Sequence, residues 1–260
     1  MKTRYIARAA AFLASLSLAC TCASAQTPVT PRVPDWAQPG SATHKQVAPP
    51  ADFHRDTTTY DKPIGIFDGQ SDVGTAVVPG SGAYDEANDS YTVRSAGYNI
   101  WYSRDEFRFL WKKMSGDVSL AADVTFQNKD GYGDRKGVLV IRQSLDDNSA
   151  EAMIGEHGTG MIHLAERTAT AAQMQDLEYR FDGLLHGVMA KRIGIEKNGD
   201  KISIFVSITG EPMHQLGPPI TLHFDGPFYV GIGFCSHQPA TVGGAVFTNV
   251  KLENAAGKVE

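Results

Sequence analysis

Glu156-His157-Gly158-Thr159-Gly160 sets an imidazole beside two glycines, where a ligand has room to approach the backbone. His157 could donate a hydrogen bond to a sugar or act as a base near neutral pH. The structural alternative, a turn residue between two strands, comes first, because no second His or Cys stands at a metal-ligand offset. Arg142 shares a strand face with Val138 and Val140, opposite Leu139 and Ile141. Its guanidinium could fork onto sugar hydroxyls or a carboxylate, or pair with Asp123 or Glu196 across the sheet. In the next run His163 and Arg167 share a face and Glu166 takes the other. Beside Arg142 they would make a basic groove, and without a ligand they would be a solvated outer face.

Flat rings matter because sugar C–H faces stack on them. Tyr98-Asn99-Ile100-Trp101-Tyr102 alternates Tyr98 and Tyr102 against Trp101, whose other ordinary fate is burial. The expected ligand site therefore joins Arg142 and His157 to an aromatic wall at Tyr98, with Trp101, His163 and Arg167 as further members. Neither Arg142 nor His157 is expected to support the core. Trp111 reads as core, Cys235 as a quiet buried thiol and His237 as a solvent-exposed residue of a loop rim. Three acidic loops, Asp68 with Asp72, Asp85 and Glu86 with Asp89, and Asp130 with Asp134, offer oxygen ligands that would suit calcium. None completes a ligand loop, so ordinary polar turns account for them, and no cofactor is required.

Strands must position these groups. Val118, Leu120, Ala122, Val124 and Phe126 alternate with smaller and polar residues, the mark of a half-buried strand. Ile193 and Ile195, then Ile202, Ile204, Val206 and Ile208, flank Asn198-Gly199-Asp200, a hairpin turn signal. Similar runs occupy residues 107–112, 137–143, 161–167, 229–235 and 245–252, and no segment reads as an amphipathic helix of three turns. Ten to twelve strands without helices predict an all-β fold: two antiparallel sheets face to face, a β-sandwich of jelly-roll type.

The chain of 260 residues divides into four parts by composition. Residues 1–25 have a basic head at Lys2, Arg4 and Arg8, an apolar run over 9–19 and the small residues Ala23-Ser24-Ala25, which predict a cleaved signal peptide and an exported protein, periplasmic or extracellular. Ser17 stands where an acylation motif before Cys20 would carry an aliphatic residue, so cleavage is expected rather than lipid anchoring. Residues 26–60 are a Pro-rich arm, 61–254 the sandwich and 255–260 a tail. The apolar run is shorter than the ~20 residues of a spanning helix, so no integral membrane segment is expected. The net charge of −5, more acidic once the leader is gone, and the lack of a Lys/Arg block disfavour nucleic acid as a partner. With Cys20 and Cys22 in the leader, Cys235 has no disulfide partner in the mature chain.

Trp111-Lys112-Lys113 with Ser115-Gly116-Asp117-Val118, Arg135-Lys136-Gly137-Val138-Leu139-Val140-Ile141-Arg142-Gln143-Ser144, and the closing runs from Phe228 to His237 and Ala245 to Leu252 carry a family resemblance. Together they resemble the concanavalin A-like lectin/glucanase superfamily, and most closely its secreted bacterial DUF1349-type and laminin G-like domains, which also occur with TolB-like propellers. The resemblance implies a jelly roll and a bias toward sugars. The chain lacks the Glu-x-Asp-x-x-Glu strand of laminarinase-type glucanases, since Glu151 is followed two residues on by Met153 and Glu196 by Asn198. The expected function is non-catalytic binding of a glycan or glycoside. The alternatives are a glycoside hydrolase or lyase using His157, Arg142 and Glu156 or Glu166, and an envelope adhesion or assembly module with a protein partner the sequence does not identify.

Overall fold

The computed structural model describes Ala48, residues 54–179 and residues 188–260. The expected leader, with Cys20 and Cys22, and most of the expected arm lie outside the described residues. Two eight-stranded antiparallel sheets pack face to face. The front sheet runs, edge to edge, Thr58–Tyr60, Gly69–Val73, Phe107–Met114, Phe228–Cys235, Lys136–Arg142, Glu151–His157, Ile162–Arg167 and Gln175–Tyr179. The back sheet runs His214–Gln215, Lys201–Ser207, Arg192–Asn198, Val118–Phe126, Gly243–Glu253, Ser90–Ser95 and Ser81–Asp85, with Ile220–Thr221 also pairing Lys201–Ser207. The described strands number eighteen, more than expected, because five are pairings of two or three residues, too short to alternate visibly. No helix among the described residues is long and apolar enough to cross a membrane.

Alternation places the core. Leu139, Ile141, Ile154, Leu164, Val230, Ile232 and Phe234 of the front sheet meet Val93, Leu120, Ala122, Ile193, Ile195, Ile204 and Phe247 of the back sheet, all buried. Each such Val, Leu, Ile or Phe side chain stabilises the fold by roughly 1.5–3 kcal/mol. In the hairpin Arg192–Asn198 with Lys201–Ser207, Asn198 pairs with Lys201, leaving Gly199 and Asp200 as the turn, with Gly199 at φ +56°.

The front sheet is also apolar on its outer face. Phe107, Phe109, Trp111, Val138, Val140, Met153, Ala165 and Cys235 form a second buried cluster there, capped by Ile100 and Met174. Ile100–Trp101 pairs with Arg104–Asp105 in a separate two-stranded sheet. This hairpin joins the last residue of Ser90–Ser95 in one sheet to Phe107–Met114 in the other, and it roofs the outer face of the front sheet. Every residue of Lys136–Arg142 and Glu151–His157 is consequently buried. Regular pairing begins inside the expected arm. Thr58 pairs with Asp72 and Tyr60 with Gln70, and Thr57 Oγ1 donates to Leu145 O at 2.7 Å. The arm's prolines stop at Pro50, and the Thr-rich stretch that follows has strand propensity.

Candidate functional site

Strand register sorts the polar residues of the outer face into two groups at opposite ends. Arg142 and Arg167 both stand opposite Glu151, while Lys136 stands opposite His157, six residues away along the same strand. At ~3.3 Å per residue that separation is about 20 Å. Arg142 and His157 therefore do not share a site.

The arginine end is a closed ion network. Arg142 lies 2.9 Å from Glu151 Oε2 and 3.3 Å from Asp105 Oδ2, and Arg167 grips both oxygens of Asp105 at 2.7 and 2.9 Å. Arg142 also donates to Ser144 O and Asp146 O, and Arg167 to Ser149 O. All four charged side chains are fully buried under the roofing hairpin, which contributes Asp105. Burial, and next the charge of Asp105, push the Glu151 carboxyl upward, and the two guanidiniums oppose that shift. The expected basic groove is thus filled by its own counter-ions. Asp123 and Glu196, the other expected partners of Arg142, are engaged instead by Arg192 and Ser119.

At the other end, Lys136 Nζ donates to Asn99 Oδ1 at 2.6 Å and Ile100 O at 3.1 Å, pinning the hairpin to the sheet. The same ammonium lies 5.1 Å from the Trp101 ring centroid. Trp101 stacks on His163 at 5.8 Å with an interplanar angle of 7°, and His163 meets His157 edge to face at 4.8 Å. Gly155 makes this possible: a Cβ there would stand 2.3 Å from His163 Nε2. Each imidazole has a carboxylate just beyond hydrogen-bond length, Asp134 at 3.7 Å from His157 Nδ1 and Asp176 at 3.7 Å from His163 Nδ1. A cavity of about 150 Å³ lies among Trp101, Asp134, Lys136, His157, Met161, His163, Asp176 and Glu178.

Burial pushes both imidazoles below their ordinary range, and the neighbouring carboxylates offset it only in part, so both rings are neutral at neutral pH. Asp134 is held below the carboxylate range by His157 first and by His237 and Lys136 after it. Neither ring nitrogen of His157, nor His163 Nε2, nor Asp176 Oδ2 has a hydrogen-bond partner in the protein. Three other clefts among the described residues are larger, one of them of about 280 Å³ beside Ile66, Lys112 and Leu252. One of about 510 Å³ sets His54 against Asp147, and one of about 360 Å³ on the back sheet sets Arg192 against Asp123.

Of the expected site residues, the pocket brings together Trp101, His157 and His163. Tyr98 is buried next door and stacks on His237 at 6.1 Å, which also stacks on Tyr132 at 5.2 Å. His237 is therefore fully buried rather than on an exposed rim, because two tyrosines enclose it. Trp111 and Cys235 are buried as expected, and burial raises the Cys235 thiol to about 11. Lys136, Asp176 and Glu178 were not expected in the site. Asp176 and Glu178 carried a readable signal, two carboxylates at alternate positions of one strand, paired with Ala165 and His163 of the neighbouring strand. Most of the acidic loop residues are engaged within the protein, and Asp134 lies in the pocket. Asp72 pairs with Arg108, Asp85 accepts from Ala87 N and Asn88, and Asp89 accepts from Tyr84. Among the described residues no three His, Cys, Asp or Glu are placed to hold a metal ion.

No family model matches the chain, and no curated protein matches it in sequence. Solved structures do. A functionally unknown protein from Saccharomyces cerevisiae is 14% identical over 77% of this chain and 97% of that one, with a TM-score of 0.52. The fold is a jelly-roll β-sandwich. Carbohydrate binding module CBM66 from Bacillus subtilis is 16% identical over 77% of this chain and 96% of its own, with a TM-score of 0.44. Xylan beta-1,4-xylosidase from Bacillus halodurans C-125 is 12% identical over 78% of this chain and 40% of its own, with a TM-score of 0.46. At 14% identity the first is a likeness of fold alone, and the other two are looser still.

Proposed function

We propose that the protein is an exported, non-catalytic domain that binds carbohydrate, holding one sugar unit in the pocket between the roofing hairpin and the front sheet. The observation that carries this reading is the set of buried polar atoms without protein partners around the cavity, on His157, His163 and Asp176. Buried polar groups are ordinarily hydrogen-bonded, and a ligand dense in hydroxyls would complete them. Trp101 offers an indole edge beside those atoms. The cavity's 150 Å³ is about half the ~300 Å³ at which drug-sized sites begin, so one ring enters and a longer glycan extends outward. The leader-like N-terminus and the likeness to secreted DUF1349-type and laminin G-like domains, which also occur with TolB-like propellers, support action outside the cytoplasm.

Titrating the purified protein with a panel of monosaccharides, followed by NMR, tests it. At least one sugar is expected to shift the histidine ring signals, and Trp101→Ala and His157→Ala are each expected to weaken that binding by roughly 1–3 kcal/mol. A panel with no binder removes the reading. A second reading, cleavage of a glycoside in the same pocket, is favoured by Asp176 and Glu178 on one strand face beside two neutral imidazoles. Release of reducing ends from polysaccharides, abolished by Glu178→Gln, would establish it in place of the first.

A further inference from the structure

The hydrogen-bonding groups around the pocket are unbalanced. Its lining holds three carboxylates, Asp134, Asp176 and Glu178, against one lysine. That lysine is already committed, with Nζ donating to Asn99 Oδ1 and Ile100 O. The imidazoles of His157 and His163 are more than nine-tenths buried, and in their neutral form each carries one bare ring nitrogen as an acceptor and one N–H as a donor. Asp176 adds a buried oxygen with no hydrogen-bond donor. Among the described residues acceptors thus outnumber donors around the site, and its lining holds more carboxylates than ammonium groups.

Building on the carbohydrate reading, we infer that the pocket selects a sugar bearing a free, charged amine over neutral, N-acylated and uronic sugars. An ammonium brings three N–H donors and a positive charge to the Asp176 oxygen and to the one bare nitrogen of each imidazole. A neutral sugar brings hydroxyl donors without the charge. N-acylation removes the charge and two of the donors. A uronate sets a fourth carboxylate against the three of the pocket, a repulsion that low local dielectric strengthens.

Isothermal titration of the purified protein with glucosamine, glucose, N-acetylglucosamine and glucuronate at pH 6, where the amine is charged, tests this. Glucosamine is expected to bind at least about tenfold more tightly than the other three, a difference of about 1.4 kcal/mol. In Asp176→Asn/Glu178→Gln that ratio is expected to collapse toward unity. Both residues sit on the edge strand Gln175–Tyr179 and neither is buried, so the fold tolerates the exchange. Equal affinity for glucosamine and glucose, or a preference that survives the double substitution, overturns amine selection and leaves sugar binding standing. Amine selection falls in the same way if none of the four binds while another monosaccharide does. Absence of any sugar binding overturns the carbohydrate reading and this inference together.

Discussion

Burial reassigns the charged residues of the outer face. Arg142→Ala would leave Glu151 and Asp105 short of a counter-ion in the interior, and removing one member of such a pair costs about 3–5 kcal/mol. We expect a large fall in Tm on thermal unfolding, with Arg167→Ala similar, whereas Arg192→Ala, which removes a partly exposed pair with Asp123, costs far less. Glu156, on the core side of the strand that carries His157, accepts from Ala190 N at 2.6 Å, and burial raises its pKa from 4.5 to about 8 despite that bond. A carboxyl raised on folding binds its proton more tightly in the native state, so the fold loses stability as pH rises from about 4.5 to about 8 and regains none above it. Glu156→Gln keeps an acceptor for Ala190 and cannot ionise. Denaturant titrations should show it more stable than the parent by a few kcal/mol at pH 9 and nearly equal at pH 4. A constant difference across pH would place the ionisation of Glu156 elsewhere. Alternation along the sequence gave the correct face for Arg142, His163 and Arg167, but a face is not an environment. Asp105, 37 residues before Arg142 in the chain, decides whether that face is wet.

At the scale of elements, the roofing hairpin holds the arrangement together. Ile100–Trp101 and Arg104–Asp105 are two residues each, far below the length at which an isolated hairpin is stable. Their stability comes from Lys136 below, from Asp105 gripped by Arg167, and from Ile100 in the apolar cluster. Lys136→Met is therefore expected to loosen the hairpin locally. The amide of Glu106, bonded to Asn99 O, should exchange its hydrogen roughly 5- to 100-fold faster, while amides of Arg192–Asn198 stay protected. Uniform acceleration in both places would mean that the lysine supports the whole fold. The hairpin Arg192–Asn198 with Lys201–Ser207 was legible because turn chemistry and alternation are local. The roof was not, because the contacts that fix it span 36 and 62 residues. One trace of it did stand in the sequence: Val138-Leu139-Val140-Ile141 is continuously apolar, as strands buried on both faces are.

For the whole molecule, two sheets with a filled interface followed from the spacing of apolar runs, whereas the order of strands within each sheet did not, since pairing partners lie far apart in sequence. Phe228–Cys235 sits between Phe107–Met114 and Lys136–Arg142, and Gly243–Glu253 sits between Ser90–Ser95 and Val118–Phe126. A chain ending at residue 227 should accordingly lack a cooperative unfolding transition by near-UV circular dichroism, with both sheets split along the gap. A native-like transition would show that each half-sheet stands alone. The central position of these two late strands also sets a timetable. A ribosome working from the N-terminus supplies the keystone of each sheet only after every other described strand of that sheet, so until then the polypeptide has no closed sheet to form. Closure of each sheet is thereby deferred until its last strand has been made, and a channel that admits only unfolded polypeptide would meet the strands that precede Phe228 before either sheet could obstruct passage.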